Sequence, residues 1–168
     1  ASGWYTVPVL WAVEKGITTG TSETTFGPGA VCNRAQVVTF LWRAAGKPEV
    51  SESNPFVDVP AGCFYESAVL WAYANGITTG TDTDHFSPNA PCSRAQVVTF
   101  LHRFHGCPEP TVESVFPDVN SGDFYHKAVL WAAQRGITVG MDGGCFKPNL
   151  PCTRAQTVTF LYRDEKNP

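Results

Sequence analysis

The chain has 168 residues, 43% of them hydrophobic and 16% charged, with a formal net charge of −3 at pH 7. That length allows one sizeable core or three small packed units. Its 12 basic residues are scattered among 15 acidic ones. This argues against the clustered cationic face that gripping nucleic acid requires. No run of about 18 apolar residues occurs, so no membrane insertion is expected, and no stretch reads as a signal peptide.

The chain repeats itself three times with a step of 60 residues. Trp11, Trp71 and Trp131 keep this spacing, as do Gly16, Gly76 and Gly136, then Phe26, Phe86 and Phe146, then Arg34, Arg94 and Arg154. The register is unbroken from Leu10 to Arg163. Units of residues 1–46, 47–106 and 107–168 follow, and any site in one unit is expected three times. The first unit is truncated at its N-terminal side. The chain opens at Ala1 in mid-unit, which reads as a mature product or an excised fragment.

The third unit shows the elements most completely. Residues 116–123 are a turn-rich lead-in. Phe124 to Arg135 then reads as a helix, apolar on most sides and therefore central and well buried. Gly136 stops it, as a glycine just past a last turn does. Residues 137–151 are rich in Gly, Thr, Asp, Asn and Pro and form a loop, with Phe146 as its buried anchor. A second helix follows, N-capped by Asn33, Ser93 or Thr153. Gln36, Gln96 and Gln156 stand three residues later, a capping-box pattern. Val37, Phe40, Leu41 and Ala44 mark its apolar stripe. Gly46 with Pro48, and Gly106 with Pro108, end it, and residues 47–55 and 107–115 are linkers. The expected fold is mostly α: three helix-loop-helix repeats with pseudo-threefold symmetry around a central helical bundle, leaving grooves between neighbours.

These residues carry a resemblance. Phe56-Val57-Asp58-Val59 and Phe116-Pro117-Asp118-Val119, then a helix ending in Gly-Ile-Thr, then Phe-x-Pro, then Thr153-Arg154-Ala155-Gln156 resemble the S-layer homology domain. Ser93-Arg94-Ala95-Gln96 and Asn33-Arg34-Ala35-Gln36 occupy the same place in the other units. The resemblance implies a non-catalytic, secreted module that anchors proteins to the bacterial cell surface. Its implied partner is a secondary cell-wall polysaccharide, often pyruvylated, held in grooves between repeats. It also implies ligand-binding roles for Arg34, Arg94 and Arg154, for Asp58 and Asp118, and for an aromatic residue at the start of the first helix. The family's usual Trp stands at Trp4, whereas Phe64 and Phe124 depart from it. The first unit has no Phe-x-Asp-Val.

The chemistry is reasonable without the family. A pyruvate ketal carries a carboxylate, which a guanidinium holds through two parallel hydrogen bonds. A helix N-terminus also favours an anion. Aspartate suits sugar hydroxyls, and an aromatic face suits a pyranose ring. Competing readings stay open. The arginines can pair structurally with Asp58 and Asp118. Gln36, Gln96 and Gln156 can serve only as capping partners or also touch ligand. Arg43, Arg103 and Arg163 read as helix-dipole partners. Three grooves of unequal quality are expected: Arg34 with Asp58, Arg94 with Asp118, and a poorer one joining Arg154 to the chain start near Trp4. The alternative function is a structural or protein-interaction scaffold that has lost its glycan.

No catalytic arrangement recurs with the repeat, and no cofactor is expected. Asp82-Thr83-Asp84 lacks the rest of a calcium loop, and His102, His105 and Cys107 have no repeated counterpart. Six cysteines without paired metal spacings suggest disulfides and an oxidising compartment. Cys145 with Cys152 and Cys32 with Cys63 are candidate pairs. Cys92 and Cys107 flank one helix and lie about 20 Å apart, beyond the reach of a disulfide.

Overall fold

A computed structural model of the chain describes residues 3–113 and 116–167; part of the 107–115 linker therefore lies outside them. It contains six helices: α1 (Thr6–Glu14), α2 (Arg34–Ala44), α3 (Glu66–Ala74), α4 (Arg94–Phe104), α5 (His126–Gln134) and α6 (Arg154–Lys166). Among the described residues there is no named strand, only isolated bridges. Each unit contributes one early and one late helix, as the repeat requires.

The helices pair across the sequence units. α2 packs on α3, α4 on α5, and α6 on α1, which closes the ring from the third unit to the first. The late helices α2, α4 and α6 also touch one another and form the centre. The early helices are thus the outer layer, not the central one that their composition suggests. They are nonetheless anchored by Trp11, Trp71 and Trp131, all buried. Their unusual apolarity has a local cause in α5, where the linker lies alongside: Thr111 N–H donates to Gln134 Oε1 at 2.9 Å, and Lys127 pairs with Glu109 at 2.6 Å. Leu130 is 3% exposed and Leu70 8%, whereas the equivalent Leu10 is 64% exposed.

The late helices begin as expected. In each, the N-cap side chain accepts from the N3 backbone N–H, and the glutamine side chain accepts from the N-cap N–H. Val37, Phe40 and Leu41 of the expected stripe are buried, while Ala44 is exposed at the helix end. The early helices start two residues later than expected, after the aromatic pairs Trp4-Tyr5, Phe64-Tyr65 and Phe124-Tyr125, and their caps make no side-chain bond.

The axis is sewn together by backbone. Cys32 N–H donates to Cys152 O (2.9 Å), Cys152 N–H to Cys92 O (2.8 Å) and Cys92 N–H to Cys32 O (2.9 Å), a closed cycle through all three units. These three cysteines are fully buried, and all six thiols are unpaired, so neither candidate disulfide is present. α2 does face α3, but Cys32 lies in the axial cycle, whereas Cys63 lies in the loop before α3, and both thiols are free.

Burial pushes the Cys32, Cys92 and Cys152 thiols upward, Cys152 to about 12 from an ordinary 9.0. A disulfide reagent should therefore titrate Cys63, Cys107 and Cys145 quickly in the native protein and the axial three only on unfolding. Six equally fast thiols would contradict the buried cycle. The same shifts carry a sign. The unfolded chain loses thiol protons above its ordinary value while the folded chain keeps them. This contribution to stability is complete below pH 9.0 and is lost as pH rises from there through about 12.

Candidate functional site

Each late helix opens on an arginine that reaches into the loop of the next unit. Arg34 Nε donates to Phe86 O at 2.9 Å, and its guanidinium lies between the rings of Phe86 (4.8 Å) and Phe100 (5.5 Å). Arg94 repeats this with Phe146 O (2.9 Å), Phe146 (4.8 Å) and Phe160 (5.3 Å). Arg154 does so with Phe26 O (2.8 Å), Phe26 (4.9 Å) and Phe40 (5.3 Å). The aromatic sandwich fixes the plane of the charge and compensates part of its desolvation.

Two of these corners open into cavities. One of about 250 Å³ is lined by Arg34, the loop Thr78 to Thr81, Gln96, Thr99, Phe100, Arg103 and Phe124. Another of about 300 Å³ is lined by Arg94, the loop Thr138 to Asp142, Gln156, Thr159, Phe160, Arg163 and Trp4. Each groove draws its arginine from one unit, its loop and late helix from the next, and its exposed aromatic from the third. Trp4 therefore belongs with Arg94 and not with Arg154, contrary to the sequence expectation. The aromatics are braced edge-on by their tyrosine neighbours, with centroids 5.0–5.3 Å apart.

Among the described residues these arginines make no ion pair. The carboxylate of Asp58 accepts from Phe86 N–H (2.8 Å) and Ser87 N–H (2.7 Å), and that of Asp118 from Phe146 N–H (2.8 Å) and Lys147 N–H (2.7 Å). Neither aspartate lines the cavity of its arginine. Both hold the loop whose carbonyl receives the arginine. Their second task is conformational: Ser87 and Lys147 sit at φ 58° and 57°, where side chains are strained. The first unit has Gly27 there, at φ 68°, where a residue without a side chain carries no such strain. Asp58→Ala should thus cost about 2–3 kcal/mol of stability, since two hydrogen bonds to a charged group are lost. Adding Ser87→Gly should restore about 1 kcal/mol of it. Thermal melting of the single and double variants checks this, and an equal loss in both would contradict the account.

The charge balance in the grooves follows from this. Arg34 and Arg94 are 4% and 2% exposed, and the Nη2 atom of each is buried without a hydrogen-bond partner. Arg154 Nη2 instead donates to Thr18 Oγ1 at 3.0 Å. Burial lowers the pKa of all three guanidinium groups from the ordinary value; Arg103 adds to the effect at Arg34. Arg103 and Arg163, read from sequence as dipole partners, donate to Ile77 O (3.1 Å) and Ile137 O (3.2 Å) and line the same cavities. Each open groove thus holds two guanidinium groups. Among the described residues, Asp142 at the edge of the Arg94 groove is the single carboxylate lining either one.

Helix N-termini add little. Arg34 N–H is taken by Ala90 O (3.0 Å), Ala35 N–H by Pro88 O (3.0 Å) and Gln36 N–H by Asn33 Oδ1 (2.8 Å). The free N–H groups expected at the helix start therefore already have partners, and the positive charge at these corners is that of the arginine side chains. Gln36, Gln96 and Gln156 are capping partners through Oε1, and Gln96 and Gln156 also line cavities. Sequence reading passes over Thr78 and Thr138, whose hydroxyls accept Gly80 N–H and Gly140 N–H at 3.1 and 3.2 Å and shape the groove wall. Their recurrence with the repeat is the signal that could have found them.

Comparison with known proteins agrees with this architecture. The sequence model of the S-layer homology domain matches residues 1–38, 55–98 and 115–158. The chain is similar to a cell surface protein of Thermoanaerobacter kivui, 32% identical over 116 residues, covering 66% of this chain and 15% of that protein. It is similar to an endoglucanase of Bacillus sp. (strain KSM-635), 31% identical over 154 residues, covering 88% and 16%. An S-layer protein of Bacillus licheniformis is 23% identical over 169 residues, covering 99% and 19%. The chain spans less than a fifth of the length of these curated relatives. With three tandem matches on three helical pairs, the chain belongs to the S-layer homology domain family.

Proposed function

We propose that the chain is a non-catalytic anchoring module, which holds the protein that carries it on the bacterial cell surface by binding an acidic, pyruvylated cell-wall polysaccharide in the Arg34 and Arg94 grooves. The observation that supports this most directly is a guanidinium without an ion-pair partner among the described residues lining each groove, beside a second arginine and an exposed aromatic face. A ketal carboxylate supplies an acceptor for the guanidinium where it lines the cavity. Threonine and glutamine side chains offer hydrogen bonds to hydroxyls, and Phe124 or Trp4 offers a platform for the ring. The relatives named as cell surface and S-layer proteins point the same way. The endoglucanase matches over a small part of its length, consistent with a module separate from its catalysis.

The Arg154 corner is the weaker partner in this reading, because Thr18 already occupies its Nη2. Calorimetry with purified wall polymer fragments should give two strong sites per chain. Mild acid removal of the ketal should abolish both. Undiminished binding after that treatment would sink the carboxylate reading; retention of a protein partner with no glycan bound would favour the scaffold alternative.

A further inference from the structure

The two open grooves follow the same backbone course and differ at their rims. Thr81 N–H donates to His85 O at 2.8 Å and Met141 N–H to Cys145 O at 2.7 Å, so the loop turns alike in both units. Gly80 and Gly140 hold similar left-handed angles, φ 89° and 80°. The side chains on either side of that glycine are what differ. The Arg34 groove has Thr79 and Thr81 there, whereas the Arg94 groove has Val139 and Met141. The corresponding residues of the first unit, Thr19 and Thr21, are again threonines, so the third unit alone is apolar at both positions. Thr81 ties its hydroxyl back into its own loop, 3.2 Å from His85 O and 2.7 Å from Ser87 Oγ. Met141 has no hydroxyl to tie back, and it lines the cavity. Val139 is 76% exposed, an apolar side chain left in water on the lining of a groove. Trp4 stands on the same cavity where the Arg34 groove has the smaller Phe124.

We infer that Val139, Met141 and Trp4 form an apolar rim that sets the specificity of the Arg94 groove. That groove selects an acidic sugar in which a free hydroxyl is replaced by a methyl-bearing group, and the Arg34 groove takes the free hydroxyl form. The inference rests on the reading of both grooves as acidic-sugar sites. The arginine pair is common to both, Arg34 with Arg103 and Arg94 with Arg163, so it does not tell such sugars apart. A methyl placed among Val139, Met141 and the indole of Trp4 leaves water and covers apolar surface. Beside Thr79 and Thr81 the same methyl gains less and removes a hydrogen-bond donor. Asp142 leaves the Arg94 groove one acceptor for a hydroxyl that stays free.

Two single-groove proteins separate the sites: Arg34→Ala keeps the Arg94 groove, and Arg94→Ala keeps the Arg34 groove. Each is titrated calorimetrically with the methyl glycoside of a pyruvylated hexose and with its O-methyl ethers, one hydroxyl capped at a time. At the Arg94 groove at least one ether should bind about fivefold more tightly than the parent glycoside, and at the Arg34 groove none should gain. Val139→Thr with Met141→Thr, added to Arg34→Ala, should bring ether and parent to equal affinity. The reciprocal exchange, Thr79→Val with Thr81→Met added to Arg94→Ala, should confer the preference, and it decides the matter where the first variant loses the parent as well. Ethers that gain nothing at the Arg94 groove overturn the rim, as do a preference that survives the first exchange and a reciprocal exchange that confers none; each leaves the acidic-sugar reading in place. If the parent glycoside binds neither single-groove protein, that reading fails, and the rim fails with it.

Discussion

Arg94→Ala is expected to remove one strong site from the titration curve, with affinity at that groove falling about a hundredfold, because truncating one partner of a desolvated charge pair costs a few kcal/mol. The effect on the unliganded fold should be much smaller. The substitution loses the bond to Phe146 O and the stacking on two rings. It also removes a buried guanidinium whose Nη2 has no partner, and relief of that desolvation offsets part of the loss. A net change of about 1–2 kcal/mol in stability is expected. Arg94→Lys keeps the charge without the fork and should fall between. The matching change at Arg154 should cost far less binding, since Thr18 already engages its Nη2. Titration and thermal melting of the same samples decide it: unchanged binding, or binding lost only in proportion to unfolding, would contradict the assigned role.

Gly140→Ala should be among the most damaging single methyls in the chain, together with Gly20→Ala and Gly80→Ala. A Cβ there would lie 2.6 Å from the Phe116 ring and 2.9 Å from Cys145 O, at φ +80°. Phe116 is buried and packed on Phe146, centroids 5.7 Å apart, so it has no space to retreat. Strain and overpacking together should cost about 3 kcal/mol or more, roughly 10 °C in melting temperature for a chain of this size. Gly16→Ala is the control. No atom lies within 4 Å of its added Cβ, and only the left-handed backbone opposes it, at about 1 kcal/mol. Equal losses at the two positions would show that the groove wall is looser than its geometry implies.

The 60-residue repeat makes the late helices and their arginines legible from sequence alone. Apolar spacing in Val37, Phe40 and Leu41 identifies the buried face of α2, and Asn33 with Gln36 identifies its first turn. What periodicity does not say is which copy a face meets. Identical units are silent about neighbours, so chain order pairs Trp4 with Arg154 although the ring places it with Arg94. The early helices mislead for a related reason. In α5, linker residues lie along the outer side, so the helix is apolar on most sides without being central. The cysteines mislead because spacing along the chain does not report convergence at an axis, where Cys32, Cys92 and Cys152 act as small apolar residues. Asp58 and Asp118 are legible as important residues. Their task, holding Ser87 and Lys147 in a left-handed turn, depends on backbone angles that the sequence does not display.

The ring closes without a covalent link where α6 meets α1. Trp11 Nε1–H donates to Glu165 Oε1 at 3.1 Å there, and Lys15 stands 4.0 Å from the same oxygen. The Arg94 groove combines Trp4 from one side of this seam with Thr138 to Asp142 and α6 from the other. A sugar seated in it would act as a rivet across the one joint that the backbone leaves open. At a ligand concentration a hundredfold above Kd, such a rivet adds about 2.7 kcal/mol to the folded state. Resistance of the ring to unfolding would then rise with occupancy of the groove.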